Sequence, residues 1–513
     1  MHRLSPDLLA LIFADLADDH DDHPIHPIFG SCSWKYLAHI CHRWREVALS
    51  CSVLWTQIST RYPDAALTCI ERSTDAPFTF VIDPRATVNN SKEIVERVLP
   101  HTHRMRQLYI PWRLFHDDDG NVSELVAPLI DASAPQLEVF HAYHVRDDGK
   151  CFALPPIFGG KTPRLTVLKL VYCYPRMDVV SFTNLKELYI KGRKHDAITM
   201  EFSTLMSILE ACPALEVFVT VKTLFVKNNE SLNDDQSSRV IRLDNLRRID
   251  IARCSASVVA DILSHLNFPN CQLRMSVWLE RRADFRFVFG VPAELCEGHP
   301  LRDVRKLHVN FWSTNGGITL EGMTGAHPFQ ISATIPPGSD IGDMPTVSGQ
   351  LLLSVARTLD LGLLEEFAIS ETQHDRPHTG FSREVWAQVL GCMPLLRTLH
   401  FRLQSIADSG FCRAVLAALA TRDAIARRPI CPLLEEITLV RDRTWSSLQW
   451  WQFAKVRKDQ GYGLKHLSLS LPHYENVEDM TETDLAILRE VIDEVDLFPP
   501  ELEDIRISSN VVW

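Results

Sequence analysis

The chain reads as an α/β protein: a short helical module at the N-terminus, then a solenoid of helix-strand units stacking into one curved parallel sheet. Two observations predict this. The first 58 residues hold a helix that is apolar on every side. Beyond them, one six-residue phrase with apolar residues at its first, fourth and sixth positions recurs about a dozen times, with amphipathic stretches between copies. Period-2 phrases bury one face of a strand, period-3.6 stretches bury one face of a helix, and alternation of the two builds α/β layers.

The N-terminal module comes first. In LSPDLLALIF (residues 4–13) and the following turn, Leu8, Leu9, Leu11, Ile12, Phe13 and Leu16 plot around nearly the whole circumference of a helix, leaving Asp7 and Asp15 as its charged positions. A module of roughly 50 residues is too small to cover both sides of such a helix from its own core. One side is therefore expected to meet another element or another protein. An insertion at 17–33 follows, and then HICHRWREVALSCSVLWTQI (residues 39–58). Running from the end of the helix into the insertion, DLADDHDDHPIH gathers Asp15, Asp18, Asp19, His20, Asp21, Asp22, His23 and His26. Without ordered ligand spacing, this cluster reads as a solvated loop rather than a metal site.

The repeating phrases include MRQLYI (105–110), PQLEVF (135–140), PRLTVLKL (163–170), TNLKELYI (183–190), PALEVFV (213–219) and DNLRRIDI (244–251). They return as DVRKLHV (303–309), LLEEFAI (363–369), PLLRTLHF (394–401), PLLEEITL (432–439), GLKHLSL (463–469) and ELEDIRI (501–507). Steps between the first apolar residues run 28, 20, 30 and 31 residues from position 137 to 246. That period, with one strand per unit, matches leucine-rich repeats. Helices are expected at 202–212, 258–266, 383–392 and 412–420, and a last one over 481–498, where Leu485, Leu488, Ile492 and Val495 form one stripe. The Gly- and Pro-rich stretch near 310–350 reads as one degenerate repeat plus a surface loop, and 116–123 and 226–239 as further loops. Trp513 is expected to help cap the last strand, as terminal repeats require.

Bulk properties narrow the function classes. No run approaches the roughly 20 apolar residues that span a bilayer, and no basic stretch followed by an apolar core opens the chain, so no membrane span and a cytoplasmic or nuclear location are expected. A net charge of -12 without a clustered excess of Lys and Arg argues against nucleic acid. The 13 cysteines are scattered, none in a Cys-x-x-Cys pair, and read as reduced core residues. No nucleophile elbow, P-loop, His-Glu-x-x-His or dinucleotide glycine motif is present, so no enzyme activity, metal or cofactor is expected.

The N-terminal residues resemble the F-box, the three-helix motif through which substrate receptors dock on the Skp-type adaptor of cullin-RING ubiquitin ligases. Leu4, Pro6, Asp7, Leu8, Leu9, Ile12 and Phe13 match in the first helix. Ile40, Cys41, Arg43, Trp44, Arg45 and the closing Leu54-Trp55 match in the second half, which looks most like F-box proteins of mushroom-forming fungi. The family has Pro after the opening Leu where this chain has Ser5, and it lacks the 17–33 insertion. The resemblance implies an adaptor-docking domain over 1–60, with Leu4, Pro6, Leu8, Leu9, Ile12, Phe13, Ile40 and Trp44 as contacts, and a leucine-rich-repeat solenoid over 61–513. It further implies a ubiquitin-ligase subunit that holds a target protein on the repeats. The alternative is a repeat scaffold whose N-terminal helices only cap the array.

On the repeats, residues between the last two apolar positions of each phrase point away from the core onto the concave face. These are Tyr109, Lys169, Tyr189, Asp250, His308, His400, Ser468 and Arg506, a mixture of types suited to protein recognition.

Overall fold

The computed structural model describes residues 4–18, 34–111, 125–143, 152–154, 162–175, 183–192, 198–226, 240–278, 300–312, 317–324, 327–334, 344–372, 382–402, 411–421, 428–440, 447–470 and 482–497. The segment expected to be a loop at 116–123, the one at 226–239 except Val226, which ends a short strand, most of the 17–33 insertion, the final phrase at 501–507 with Arg506, and Trp513 lie outside these. The chain falls into two units, Met1–Glu230 and Ser231–Trp513.

The first unit opens with α1 (Pro6–Asp18), α2 (Trp34–Leu37), α3 (His42–Ser50) and a 3-10 turn at Ser52–Trp55. Helix-strand units follow: β1 (Gln57–Ser59), α4 (Pro63–Arg72), β2 (Phe78–Val81), α5 (Val88–Val98) and β3 (Met105–Pro111). Then come α6 (Ala127–Asp131), β4 (Val139–Tyr143), β5 (Val167–Val171), β6 (Glu187–Lys191), α7 (Phe202–Ala211) and β7 (Val217–Val221). Strands β1 to β7 pair in chain order and all in parallel. A parallel pair needs a crossover, and among the described residues a helix supplies it at every step except β4 to β5 and β5 to β6.

Each phrase forms its strand for the expected reason. In β5, Leu165, Leu168 and Leu170 are buried while Lys169 between them is half exposed. Leu185, Leu188 and Ile190 repeat the pattern beside them, as do Leu215 and Phe218. Strands β1 and β2 belong to the same ladder, although neither carries the full phrase. Arg104, 3% exposed, ties α4 to β3 by donating to the Ala76 and Ile70 carbonyls at 2.8 and 3.4 Å and to Ser73 Oγ at 3.0 Å.

The second unit contains β8 (Arg248–Ser255), α8 (Ala256–Ser264), β9 (Gln272–Trp278), β10 (Val304–Trp312), β11 (Gly317–Thr324), β12 (His327–Thr334), α9 (Met344–Thr358) and β13 (Glu366–Thr372). It continues with α10 (Arg383–Gly391), β14 (Thr398–Arg402), α11 (Phe411–Leu419), β15 (Glu436–Val440), α12 (Ser447–Asp459), β16 (His466–Ser470), α13 (Glu482–Arg489) and β17 (Glu494–Leu497). The strand order is β8-β9-β12-β11-β10-β13-β14-β15-β16-β17. All neighbours are parallel except β12-β11 and β11-β10.

Two sequence expectations are corrected here. Within the stretch near 310–350, 317–334 is not a degenerate repeat: β11 and β12 form an antiparallel pair inserted into the sheet between β9 and β10, and 335–343 lies outside the described residues. Ile318, Leu320, Phe329, Ile331 and Ala333 alternate into the core, a period-2 signal masked by the glycines and Pro328 around it. Gly322 is required for this pairing, because a Cβ there would meet the Lys306 carbonyl and the Phe329 ring at 2.5 Å. The second correction concerns 481–498, which is not one helix. α13 ends at Arg489, and Val495 is the buried residue of β17, where Glu-Val-Asp-Leu alternates with period 2.

Arg457, fully buried, locks α12 to the preceding turn by donating to the carbonyls of Tyr462, Ile430 and Cys431 at 3.2, 3.1 and 2.9 Å. Cys431 takes a positive φ of 50°, and the guanidinium holds that turn in place. Cys41, Cys51, Cys69, Cys173, Cys212, Cys254, Cys271, Cys392 and Cys431 are free thiols. Among the described residues no helix is long and apolar enough to cross a membrane.

Candidate docking surfaces

In α1, the Ser5 hydroxyl accepts the Leu8 N–H at 3.3 Å, so Ser5 caps the helix while Pro6 occupies its first turn, where a missing N–H costs nothing. Leu9 and Phe13, one turn apart, are 1% and 0% exposed. They form a small core with Val47, Ala48 and Leu54, rimmed by Leu37, Trp44, Cys51 and Trp55. The Phe13 and Trp44 rings lie 5.1 Å apart. Arg43 donates to the Leu4 carbonyl, and Trp55 Nε1 donates to the Ala48 carbonyl at 3.1 Å. Arg72 of α4 stacks 4.8 Å over the Trp55 ring and donates to the Leu49 carbonyl at 3.3 Å, which joins this cluster to the first helix-strand unit.

The opposite side of α1 is exposed. Leu4, Leu8, Leu11 and Ile12 are 40, 49, 67 and 45% exposed, and Pro6 is exposed beside them. Tyr36 of α2 and Ile40 in the turn after it add 74 and 52% exposed side chains. Leu8 and Ile12 are one turn apart on one row of the helix, and Leu4 precedes its first turn. Scattered apolar residues on a surface are ordinary, but a row on one helix marks a contact surface.

The set read from sequence thus divides. Leu4, Pro6, Leu8, Ile12 and Ile40 face outward; Leu9 and Phe13 do not, and their assignment as contacts is corrected: they are the core on which the outward row rests. Trp44 is half-buried at the rim of that core. Leu11 was missed because a helix that is apolar all round does not reveal which side is covered, and Tyr36 because the four residues of α2 are too short to show a period.

The open sheet faces carry the other candidates. In the first unit Tyr109, His141, Lys169 and Tyr189 occupy one register row across β3 to β6. Tyr109 and His141 meet edge to face at 5.6 Å, and Lys169 Nζ sits 4.8 Å from the centre of the Tyr189 ring. His141 falls at the same phrase position as the three predicted residues and completes their row. In the second unit Asp250, Arg274, Gln330, Glu321, His308, Ala368, His400, Thr438, Ser468 and Asp496 form a continuous row from β8 to β17. Asp250, His308 and His400 are half-buried, and Ser468 is 9% exposed.

Around His308 the polar groups hold one another. His308 Nε2 lies 2.7 Å from Ser370 Oγ, His308 Nδ1 lies 3.7 Å from Glu321, and Gln330 donates to Glu321 at 2.8 Å. The His308 interaction holds the Glu321 carboxyl below the usual carboxylate range. Next to it, Glu366 accepts an ion pair from Lys306 at 2.6 Å and lies 3.8 Å from His400 Nε2. Burial pushes the His400 imidazole below its ordinary value, against the opposing pull of Glu366 and Glu436, and favours its neutral form. At the far end His466, Glu494 and Asp496 bring ligand atoms within 4.8 Å of one another, and His466 pairs with Asp496 at 3.1 Å. At the start of the strands runs a ladder of exposed ion pairs that the sequence reading did not single out, including Arg106–Glu138 at 2.7 Å, Arg305–Glu365 at 2.9 Å and Lys465–Glu435 at 2.8 Å.

No family model matches the chain, and no curated protein matches it. Among solved structures it is similar to the chain titled "Crystal structure of TLR13-ssRNA13 complex", at 14% identity and a TM-score of 0.24, covering 72% of this chain and 51% of that one. The chain thus spans about half the length of that structure. The fold and its two surfaces define a mixed α/β repeat protein: helix-strand units with a mostly parallel sheet, an open polar face and an apolar helical row at the N-terminus.

Proposed function

We propose that the chain is the substrate receptor of a Skp-cullin-F-box ubiquitin ligase, an F-box joined to leucine-rich repeats. Helix α1 and the α2 turn dock on the adaptor, and the open sheet faces hold a target protein. The observation that carries this reading is the division of α1. Leu9 and Phe13 build a self-sufficient core with α3, while Leu4, Leu8, Leu11 and Ile12 stay exposed on the other side. A helix that served only to cap the repeats would spend its apolar surface on them; this one leaves a full row to solvent. The chain carries out no bond chemistry in this reading. It raises the local concentration of target lysines at an active site on another subunit.

One observation favours the second reading, a repeat scaffold with a helical cap: Arg72 clamps Trp55 and the end of α3 onto the first repeat. Binding of the full chain to a Skp-type adaptor separates the two. Nanomolar to micromolar binding abolished by Leu8→Asp supports the receptor. A chain that ignores the adaptor is the scaffold.

A further inference from the structure

The strand pair inserted between β9 and β10 does more than interrupt the repeats. It sets Glu321 of β11 opposite His308 of β10, its register partner. On the other side of His308 stands β13, where Ser370 lies two residues beyond Ala368, the register partner of His308 on that strand. Partners across a ladder, and residues two apart along a strand, share a face. Glu321, His308 and Ser370 therefore run diagonally over three neighbouring strands on one open face.

The order along that diagonal is carboxylate, imidazole, hydroxyl. His308 Nε2 lies 2.7 Å from Ser370 Oγ, a full hydrogen bond, and His308 Nδ1 lies 3.7 Å from Glu321 Oε2, an ion-pair distance. Contacts of the second kind are often long in empty sites and tighten when substrate is bound. Glu321 is itself held from behind, since Gln330 of β12 donates to its other oxygen, Oε1, at 2.8 Å. His308 keeps the Glu321 carboxyl below the usual carboxylate range, so it is ionised at neutral pH. A charged carboxylate assigns the ring proton to Nδ1 and leaves Nε2 to accept from the serine hydroxyl. Nucleophile, base and orienting acid are thus joined in sequence.

The surroundings fit the same chemistry. Ser370 is 5% exposed, while the His308 and Glu321 side chains are 26 and 24% exposed, so the serine sits low in a face from which the imidazole is reached. The register partners of Ser370 on its two flanking strands are Asn310 and Arg402. Strands are about 4.8 Å apart and parallel partners share a face, so a carboxamide and a guanidinium flank the hydroxyl. Both are donor types that stabilise a developing oxyanion. His400 and the Lys306–Glu366 pair complete the charged groups beside His308. No contiguous motif marks the site, because its three members come from three strands and a triad is defined by geometry rather than spacing.

We infer that Ser370, His308 and Glu321 form a nucleophilic site that hydrolyses carboxylic esters. Ser370 Oγ attacks the carbonyl carbon as its proton passes to His308 Nε2; the carbon–oxygen bond to the alcohol then breaks, and the alcohol leaves with that proton. Water attacks the acyl-serine and gives a proton to Nε2, and the carboxylic acid departs as Oγ takes the proton back. Ser370 and His308 are the catalytic residues, and Glu321 and Gln330 position them. This activity goes beyond the receptor reading and does not depend on adaptor docking.

The test uses the full chain with p-nitrophenyl butyrate as substrate and a fluorophosphonate as serine-directed probe, the labelled peptide being located by mass spectrometry. Saturable hydrolysis above the buffer rate and one adduct per chain, on Ser370, are expected. Ser370→Ala and His308→Gln each lower kcat/KM at least hundredfold and remove the adduct. Glu321→Gln lowers kcat at least tenfold with little change in KM, and it moves the acidic limb of the pH–rate profile to lower pH because the imidazolium loses its carboxylate. A merely structural glutamate would leave that limb in place. Ser207→Ala, at an exposed serine of α7 in the first unit, changes nothing. The adduct is read on the unaltered chain, so the outcome does not hang on any variant folding. Hydrolysis no faster than buffer, no adduct, an adduct on another residue, or activity that survives Ser370→Ala overturns the inference. Adaptor binding, measured on the same preparations, reports on the receptor reading separately.

Discussion

Phe13 and Ile12 are adjacent in sequence and opposite in consequence. Phe13 is fully buried in a core of five residues, and truncation to alanine removes its ring contacts with Trp44 and opens a cavity that the small cluster cannot refill. Such changes cost about 3–5 kcal/mol in ordinary cores. Ile12 is 45% exposed, so Ile12→Ala forfeits only part of the burial of three carbons, about 1 kcal/mol at ~0.8 kcal/mol per buried methylene. Amide hydrogen exchange read over α1 and α3 measures this directly. Phe13→Ala is expected to speed exchange across both helices by two orders of magnitude or more, while the repeats keep their protection. Ile12→Ala is expected to change it by less than tenfold. Comparable deprotection in the two variants, or protection of α1 in Phe13→Ala, refutes the division of the helix into a core side and an open side.

Other consequences follow from the second unit. Gly322→Ala forces a Cβ into the Lys306 carbonyl and the Phe329 ring, and denaturant unfolding is expected to show a loss of about 1–3 kcal/mol or more. Arg457→Met leaves the buried carbonyls of Ile430, Cys431 and Tyr462 without their donor; the penalty, offset by release of a desolvated cation, is about 3 kcal/mol in the same assay. His400 gives the chain a pH response. Its folded pKa lies below the ordinary value of 6.5, so the unfolded state binds more protons near that pH and stability rises with pH through this range. The contribution is complete above about pH 6.5 and is lost as pH falls toward the folded value, so melting temperatures should climb from pH 5 to 7, with a flatter profile in His400→Gln.

The strand phrases were legible because burial writes them plainly. Leu168, Leu188 and Leu467 occupy the same phrase position and are all buried. Strands without the full phrase were not: Phe78–Val81 is buried at every position, and its run of apolar residues carries no period. The antiparallel pair β11 and β12 was hidden because Gly322, which the strand pairing demands, is also the residue that marks loops elsewhere. The stripe through Leu485, Leu488, Ile492 and Val495 fits a helix to its end, yet the β-branched Ile492 and Val495 flank the turn into β17. In the N-terminal module the sequence showed that α1 needed cover on two sides. Which side its own core supplies depends on how α3 packs, and local pattern does not encode that.

The most direct measurement is calorimetric titration of the purified full chain with a Skp-type adaptor, alongside a Leu8→Ala, Ile12→Ala double variant. The account predicts tight binding by the wild type and at least a hundredfold loss in the variant, with unchanged hydrogen exchange in α3 showing that the module stays folded; such a loss is within reach of two anchors at an interface centre. No binding by the wild type, or undiminished binding by the folded variant, contradicts the docking role assigned to the exposed row of α1.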